Sequence, residues 1–200
     1  VYISPSTDFL VDLSATDIEY TNDSPIAESR EGMLYRALVG ASYELTGKLT
    51  SKVKVGFSER TFELSDVDSD DSFTWEGSLT WNPRTYSTIT VFTSQAANET
   101  PSATSNYIDA SFSRITWNHE FSAFFALRAQ VSLAEDSYYD GDSGDVNRED
   151  EVVTFGLRGT YSPTTSVDMY AGIEQSDRSS TEDGLDYEQQ VVSLGVTVGI

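Results

Sequence analysis

Cysteine is absent from the 200 residues, and histidine occurs once. Without thiols the chain cannot be a disulfide scaffold, a thiolate zinc site, an iron–sulfur protein or a cysteine hydrolase. A single histidine excludes a multi-histidine metal centre. Basic residues are scarce, 12 Lys and Arg against 33 Asp and Glu, for a net charge of -21. Such a surface repels polyphosphates, so nucleic acid is not an expected partner. No run of 18 apolar residues occurs, which excludes a membrane-spanning helix. Mean hydropathy is -0.34, low for a globular domain of this size. Aromatics make up 12%, too many for a disordered chain. The chain opens on Val1 with no secretory signal and is read as processed or incomplete. The lack of cysteine fits a compartment outside the cytoplasm.

What the chain does have is period-two alternation. In 73–82, Phe73, Trp75, Leu79 and Trp81 share one face, opposite Thr74, Glu76, Ser78 and Thr80. In 121–133, Phe121, Phe125, Leu127, Val131 and Leu133 oppose Ser122, Arg128, Gln130 and Ser132. Val153, Phe155, Leu157 and Tyr161 form another such face, and Val192, Leu194, Val196, Val198 and Ile200 close the series. A helical reading of 121–133 would put Arg128 in the apolar stripe. The pattern predicts about ten strands, near 8–21, 31–46, 48–64, 72–82, 85–97, 105–118, 121–137, 150–162, 165–177 and 186–200. Many reach roughly 13–17 residues against a usual five or six. Even tilted by about 40°, they outspan the apolar band of about 25 Å in an outer membrane. Phase switches in 107–117 and 9–20 predict a bulge, or strand extending above the membrane.

The connections alternate short and long. Short turns are expected at 46–48, 82–84, 118–120 and 162–164, and polar connections at 22–30, 65–71, 98–104, 138–149 and 178–185. An aromatic precedes each short turn: Tyr43, Trp81, Trp117 and Tyr161. One level of Trp and Tyr on every hairpin is the aromatic girdle of a membrane barrel. Aromatic caps on a soluble β-sandwich would explain neither the strand lengths nor the unequal ends. Of the 33 acids, 18 lie at or beside long connections, making one pole anionic. The expected fold is all-β: one antiparallel up-and-down transmembrane β-barrel domain over 1–200, with short inner turns and long acidic outer loops.

From Gly32 to Ile200 the chain resembles the β-barrel porin family often encoded in bacterial exopolysaccharide gene clusters. The resemblance rests on segments 37–50 and 55–62, the Leu-Thr-Trp-Asn-Pro-Arg-Thr hairpin at 79–85, Arg148 opening 149–157, and the tail 189–198. These are hairpin patterns rather than active-site signatures. They imply a bacterial outer-membrane barrel, embedded among lipid and lipopolysaccharide, that assists export of exopolysaccharide alongside polysaccharide-export proteins. Family members are longer, with further upstream strands, so two readings stay open: a single barrel over 1–200, or the C-terminal part of a larger barrel.

If the apolar face meets lipid, the inward set includes Arg36, Glu44, Lys52, Lys54, Arg60, Glu76, Arg128, Gln130, Arg158, Asp168, Tyr170 and Glu174. These groups either line a polar conduit that touches a sugar chain or acidic solute, or pair with one another and fill the interior. Ten tilted strands give a backbone diameter of roughly 20 Å, which leaves under about 10 Å between facing side chains. Such a barrel is plugged unless further strands complete it.

Other sites are weaker. Asp140, Asp142, Asp145 and Glu151 approximate a calcium loop, but the glycine and acid at its centre are exchanged. Loop-bound Ca2+ is the one cofactor weighed. Solvated surface acid is the plainer alternative, and acidic loops could also bridge lipopolysaccharide phosphates through divalent ions. His119 is read as a turn residue beside Asn118, and no phosphate loop or triad is present, so no enzyme is expected. Three roles remain open: an export or solute-passage barrel, a sealed anchor that docks a surface assembly through its loops, and a soluble acidic carbohydrate-binding sandwich.

Overall fold

The computed structural model describes residues 7–19, 31–62, 70–98, 105, 107–139 and 145–199. They form ten strands: β1 (Thr7–Ile18), β2 (Gly32–Thr46), β3 (Leu49–Phe62), β4 (Asp70–Arg84), β5 (Ser87–Asn98), β6 (Tyr107–Ser122), β7 (Phe125–Tyr139), β8 (Val146–Thr164), β9 (Val167–Ser180) and β10 (Tyr187–Val198). Each pairs antiparallel with the next in a single up-and-down sheet. β1 and β10 are its edges and do not pair with each other among the described residues. The alternating residues become strands because one face of each is greasy and the other polar, and β-branched and aromatic side chains suit a pleated surface.

The register joins those faces across the whole sheet. Val11, Val39, Val55 and Trp75 follow one another from β1 to β4. Val91, Ile115, Val131 and Phe155 continue the face from β5 to β8. Odd positions carry it on β1–β9. On β10 it passes to even positions, because Ile173 pairs with Val192 and Ala171 with Leu194.

This face is not packed against protein. Phe9 is 88% exposed, Leu194 79% and Leu13 74%, whereas among the described residues the buried apolar side chains are only Leu38, Ala97, Tyr107, Ile108 and Tyr138. A soluble chain of this size hides its large aliphatics and seldom shows an apolar patch above about 600 Å².

Three of the four short turns lie later than the sequence reading placed them. The two-residue turns are Gly47-Lys48, Thr85-Tyr86, Ala123-Phe124 and Thr165-Ser166. Pro83 and Pro163 are inside strands, each where the register slips, between Trp81 and Arg84 and between Tyr161 and Thr164. A bulge demands no ladder bond from the residue it displaces, so proline is tolerated there. The slip recurs between Glu44 and Thr46 and between Glu120 and Ser122, so every hairpin ends in the same device. His119 is therefore a strand residue of β6, not a turn residue.

The predicted phase switch in 107–117 is not a bulge either. β6 pairs with β7 without slippage from Tyr107 to Glu120. Ile108, Ala110 and Phe112 instead put apolar groups on the otherwise polar face, where the Phe92 and Phe112 rings lie 6.2 Å apart. β1 likewise keeps one register from Thr7 to Ile18. β8 starts earlier and β9 ends later than expected, which shortens the connection between β9 and β10.

Candidate functional site

The greasy face carries a band without Asp, Glu, Lys or Arg. On β8 it runs from Val153 to Tyr161, bounded by Glu151 above. Glu59 pairs with Asp71, and Glu135 with Glu151, at the same upper limit on β3–β4 and β7–β8. Nine residues at about 3.4 Å cover roughly 27 Å of strand, or about 21 Å upright at a 40° tilt, close to the apolar height of outer-membrane barrels. Tyr43, Trp81, Trp117 and Tyr161 all lie on this face toward the turns, with Trp81 44% and Tyr161 50% exposed. The Trp117 indole donates to Ser87 Oγ at 3.0 Å. Around it are His119, 5.3 Å from Tyr86 and 4.4 Å from Phe121 between ring centres, and Phe125, 5.9 Å from Phe121. His119 thus belongs to the aromatic belt. The turn assignment had hidden this, since a residue placed in a turn is given no face of the sheet.

The opposite face is polar, and the register places Arg36, Glu44, Lys52, Lys54, Arg60, Glu76, Arg128, Gln130, Arg158, Asp168, Tyr170 and Glu174 on it. They fall into separate groups. On β1–β4, Lys54 opposes Glu76 directly and bonds it at 2.5 Å, while Asp12 bonds Lys54 at 2.9 Å and Arg36 bonds Glu76 at 2.6 Å. The Arg36–Glu76 bridge passes over β3 at Gly56, which offers no side chain in the way. A Cβ on Gly56 would collide with the backbone of Ala37, and one on Gly40 with Val53, so β2 and β3 lie unusually close. Leu38, fully buried, shares the rung of Asp12 and Gly56. Arg60 is buried higher on β3, and Glu44 and Lys52 are nearer the turn.

A second group lies at the loop end, above the uncharged band, and was missed as a site. The Asp150 carboxylate is almost fully buried and accepts from Arg148 at 2.8 Å and Arg178 at 2.6 Å. Arg148 also reaches Glu182 at 3.3 Å, and its guanidinium stacks 3.7 Å from the Tyr138 ring centre. Burial pushes the Asp150 carboxyl up, but the hydrogen bonds from Ser180, Arg148 and Arg178 outweigh it and hold it below the ordinary aspartate range. Asp136 is shifted the other way, raised by burial and by the charge of Asp150. Arg148 appeared in the sequence only as the opening of a strand, because its partners are distant in the chain.

The third group spans β7–β10. Arg128 opposes Arg158 across β7 and β8, and the next two positions on that rung are Gly172 and Ser193. One rung up are Gln130, Gly156 and Glu174. Together they line an open trough of about 390 Å³. Toward the turn, Tyr170 lies flat over Gly195, where a Cβ would fall 2.3 Å from the ring, and the Arg158 guanidinium stands 4.6 Å above that ring. Asp168, one rung further, accepts from Ser162 Oγ at 2.5 Å.

Of the calcium candidates, Asp140 and Asp142 lie outside the described residues. Asp145 and Glu151 are exposed, and Glu151 sits on the greasy face just above the band.

The family described as "Putative beta-barrel porin 2" matches residues 2–199. No curated protein and no solved structure matches the chain. A match across nearly the whole length agrees with ten meandering strands, one uncharged outer band and an ion-paired opposite face, and the chain belongs to this family of β-barrel porins.

Proposed function

We propose that the chain is the wall of an outer-membrane barrel whose polar face lines a path for a polar solute or an exported exopolysaccharide. The carrying observation is the uncharged band on a single continuous face, bounded by aromatics below and carboxylates above. Such a face is stable when lipid tails cover it. The bilayer does not tolerate the bare backbone of β1 and β10, so each edge needs a partner strand. The two could pair with each other, or with further strands of a wider barrel of which this is the C-terminal part. A wider barrel fits passage of a polymer better, because ten strands leave under about 10 Å of lumen. In this reading lipid and lipopolysaccharide surround the wall, export proteins are its partners, and no catalytic role is assigned.

The second reading is a sealed anchor that docks a surface assembly. The ion pairs joining β1–β4 favour it, since they fill part of the polar face with side chains bound to one another. Planar-bilayer recording on refolded protein separates the two. Discrete conductance steps support a path, and stable insertion without conductance supports the anchor. A chain that stays monodisperse in buffer without detergent contradicts both.

A further inference from the structure

On the polar face of a protein with 33 acids, four basic groups are paired with carboxylates. Arg36, Lys54, Arg148 and Arg178 each hold one within 3.3 Å. Among the described residues, Arg128 and Arg158 hold none. They face each other across a strand pair, like charge against like, an arrangement that destabilises a sheet unless something lies between them. Glu174 is close by but is kept off both. The Gln130 amide stands between, its Oε1 accepting from Arg128 at 3.3 Å and its Nε2 donating to Glu174 at 3.5 Å. Arg158 is steadied from below by Tyr170, itself seated on Gly195, which leaves the outer edge of the guanidinium free.

The floor beside the two arginines is glycine. A Cβ on Gly156 would meet Gln130 at 3.0 Å, and one on Gly172 would meet the Ser193 hydroxyl at 2.9 Å. These glycines let Gln130 and Ser193 lie down and keep the trough open for a flat ring close to the backbone. Two guanidinium forks provide parallel N–H donors spaced for the two oxygens of a carboxylate. Glu174, Gln130 and Ser193 supply acceptors and donors for hydroxyls. A phosphate dianion would meet repulsion from Glu174, whereas a singly charged carboxylate next to hydroxyls satisfies both sides.

We propose that Arg128 and Arg158 form a subsite for the carboxylate of an acidic sugar, with Glu174 and Ser193 binding its hydroxyls. The subsite deepens the solute-path reading and rests on it, because it requires the polar face to meet solute.

The test uses the full chain refolded in detergent or lipid and compares binding of trigalacturonate with neutral maltotriose by calorimetry. The acidic trisaccharide is expected to bind at least tenfold more tightly. Arg128→Gln and Arg158→Gln should each remove most of that preference. Lys52→Gln, an exposed cation on the same face, should keep it. Without sugar, Arg128→Gln should melt at or above the wild-type temperature, since it relieves a like-charge pair, so lost binding cannot be put down to lost fold. Equal affinity for both sugars, or equal loss in all three variants, overturns the subsite. A protein that conducts in bilayers yet shows no preference overturns the subsite alone. A protein that does not enter lipid overturns the solute-path reading, and the subsite with it.

Discussion

Leu157 sits near the middle of the uncharged band on β8, six residues from Glu151 and four from Tyr161, paired with Ala129 and Ile173. It is 37% exposed. If water met this face, Leu157→Arg would be a routine surface change worth within about 0.5 kcal/mol. If lipid tails meet it, an arginine near the midplane costs about 2–4 kcal/mol. That corresponds to roughly a 30- to 700-fold change in the folding equilibrium, since 1.4 kcal/mol is about tenfold. Snorkelling trims the cost by bending the side chain toward a headgroup. The neighbours Ala129 and Ile173 offer no counter-charge, so the loss should stay within that range. The matched control is Glu151→Arg, just above the band, where the change should be near zero. The assay is reversible denaturant unfolding in phosphocholine vesicles, followed by tryptophan emission. Equal, small effects at both positions would refute the argument that lipid covers this face.

Three further outcomes follow from the polar face. Glu76→Gln strands Arg36 and leaves Lys54 with Asp12 alone, so the unfolding free energy should fall by about 1–3 kcal/mol, read by the same denaturant assay. Gly195→Leu forces the Tyr170 ring off its seat and should cost about 1–3 kcal/mol, while Gly47→Ala, at a turn with open space around it, should cost far less in a parallel melting series. Asp150 has a depressed folded pKa, so its contribution is complete above the ordinary aspartate pKa and is lost as pH falls through the lower folded value. Asp136, raised on folding, works in the opposite sense and relaxes as it protonates. Amide exchange at 146–150 and 178–180 should therefore accelerate only below the ordinary aspartate range, and Asp150→Asn should abolish that step.

The strands were legible because a sheet greasy on one face must alternate in sequence, and here it does so in strands up to nineteen residues long. Strand length, the aromatic level at the turns and the unequal ends carried the membrane argument, since a soluble sandwich accounts for neither the lengths nor the asymmetry. Turn positions were less legible. Pro83 and Pro163 read as turn residues, yet bulges accommodate them within strands, and the same misplacement hid His119 from the aromatic belt. Phe112 and Ile108 looked like a change of phase because apolar residues on a polar face have the same sequence signature as a slipped register. The polar clusters were visible only as a list of charges. Which charges meet depends on register summed over two or three strands. No local pattern could therefore show that Lys54 finds Asp12 and Glu76 while Arg128 meets Arg158.

All three tryptophans, Trp75, Trp81 and Trp117, lie on the apolar face, Trp75 toward the loop end and the other two toward the turns. Quenching by lipids brominated at defined depths therefore tests the central claim directly. Brominated acyl chains should quench all three in single-tryptophan variants, most strongly with bromine near the headgroup ends, while aqueous acrylamide quenches little. Strong acrylamide quenching with no response to brominated lipid would show that water covers this face and would contradict the account.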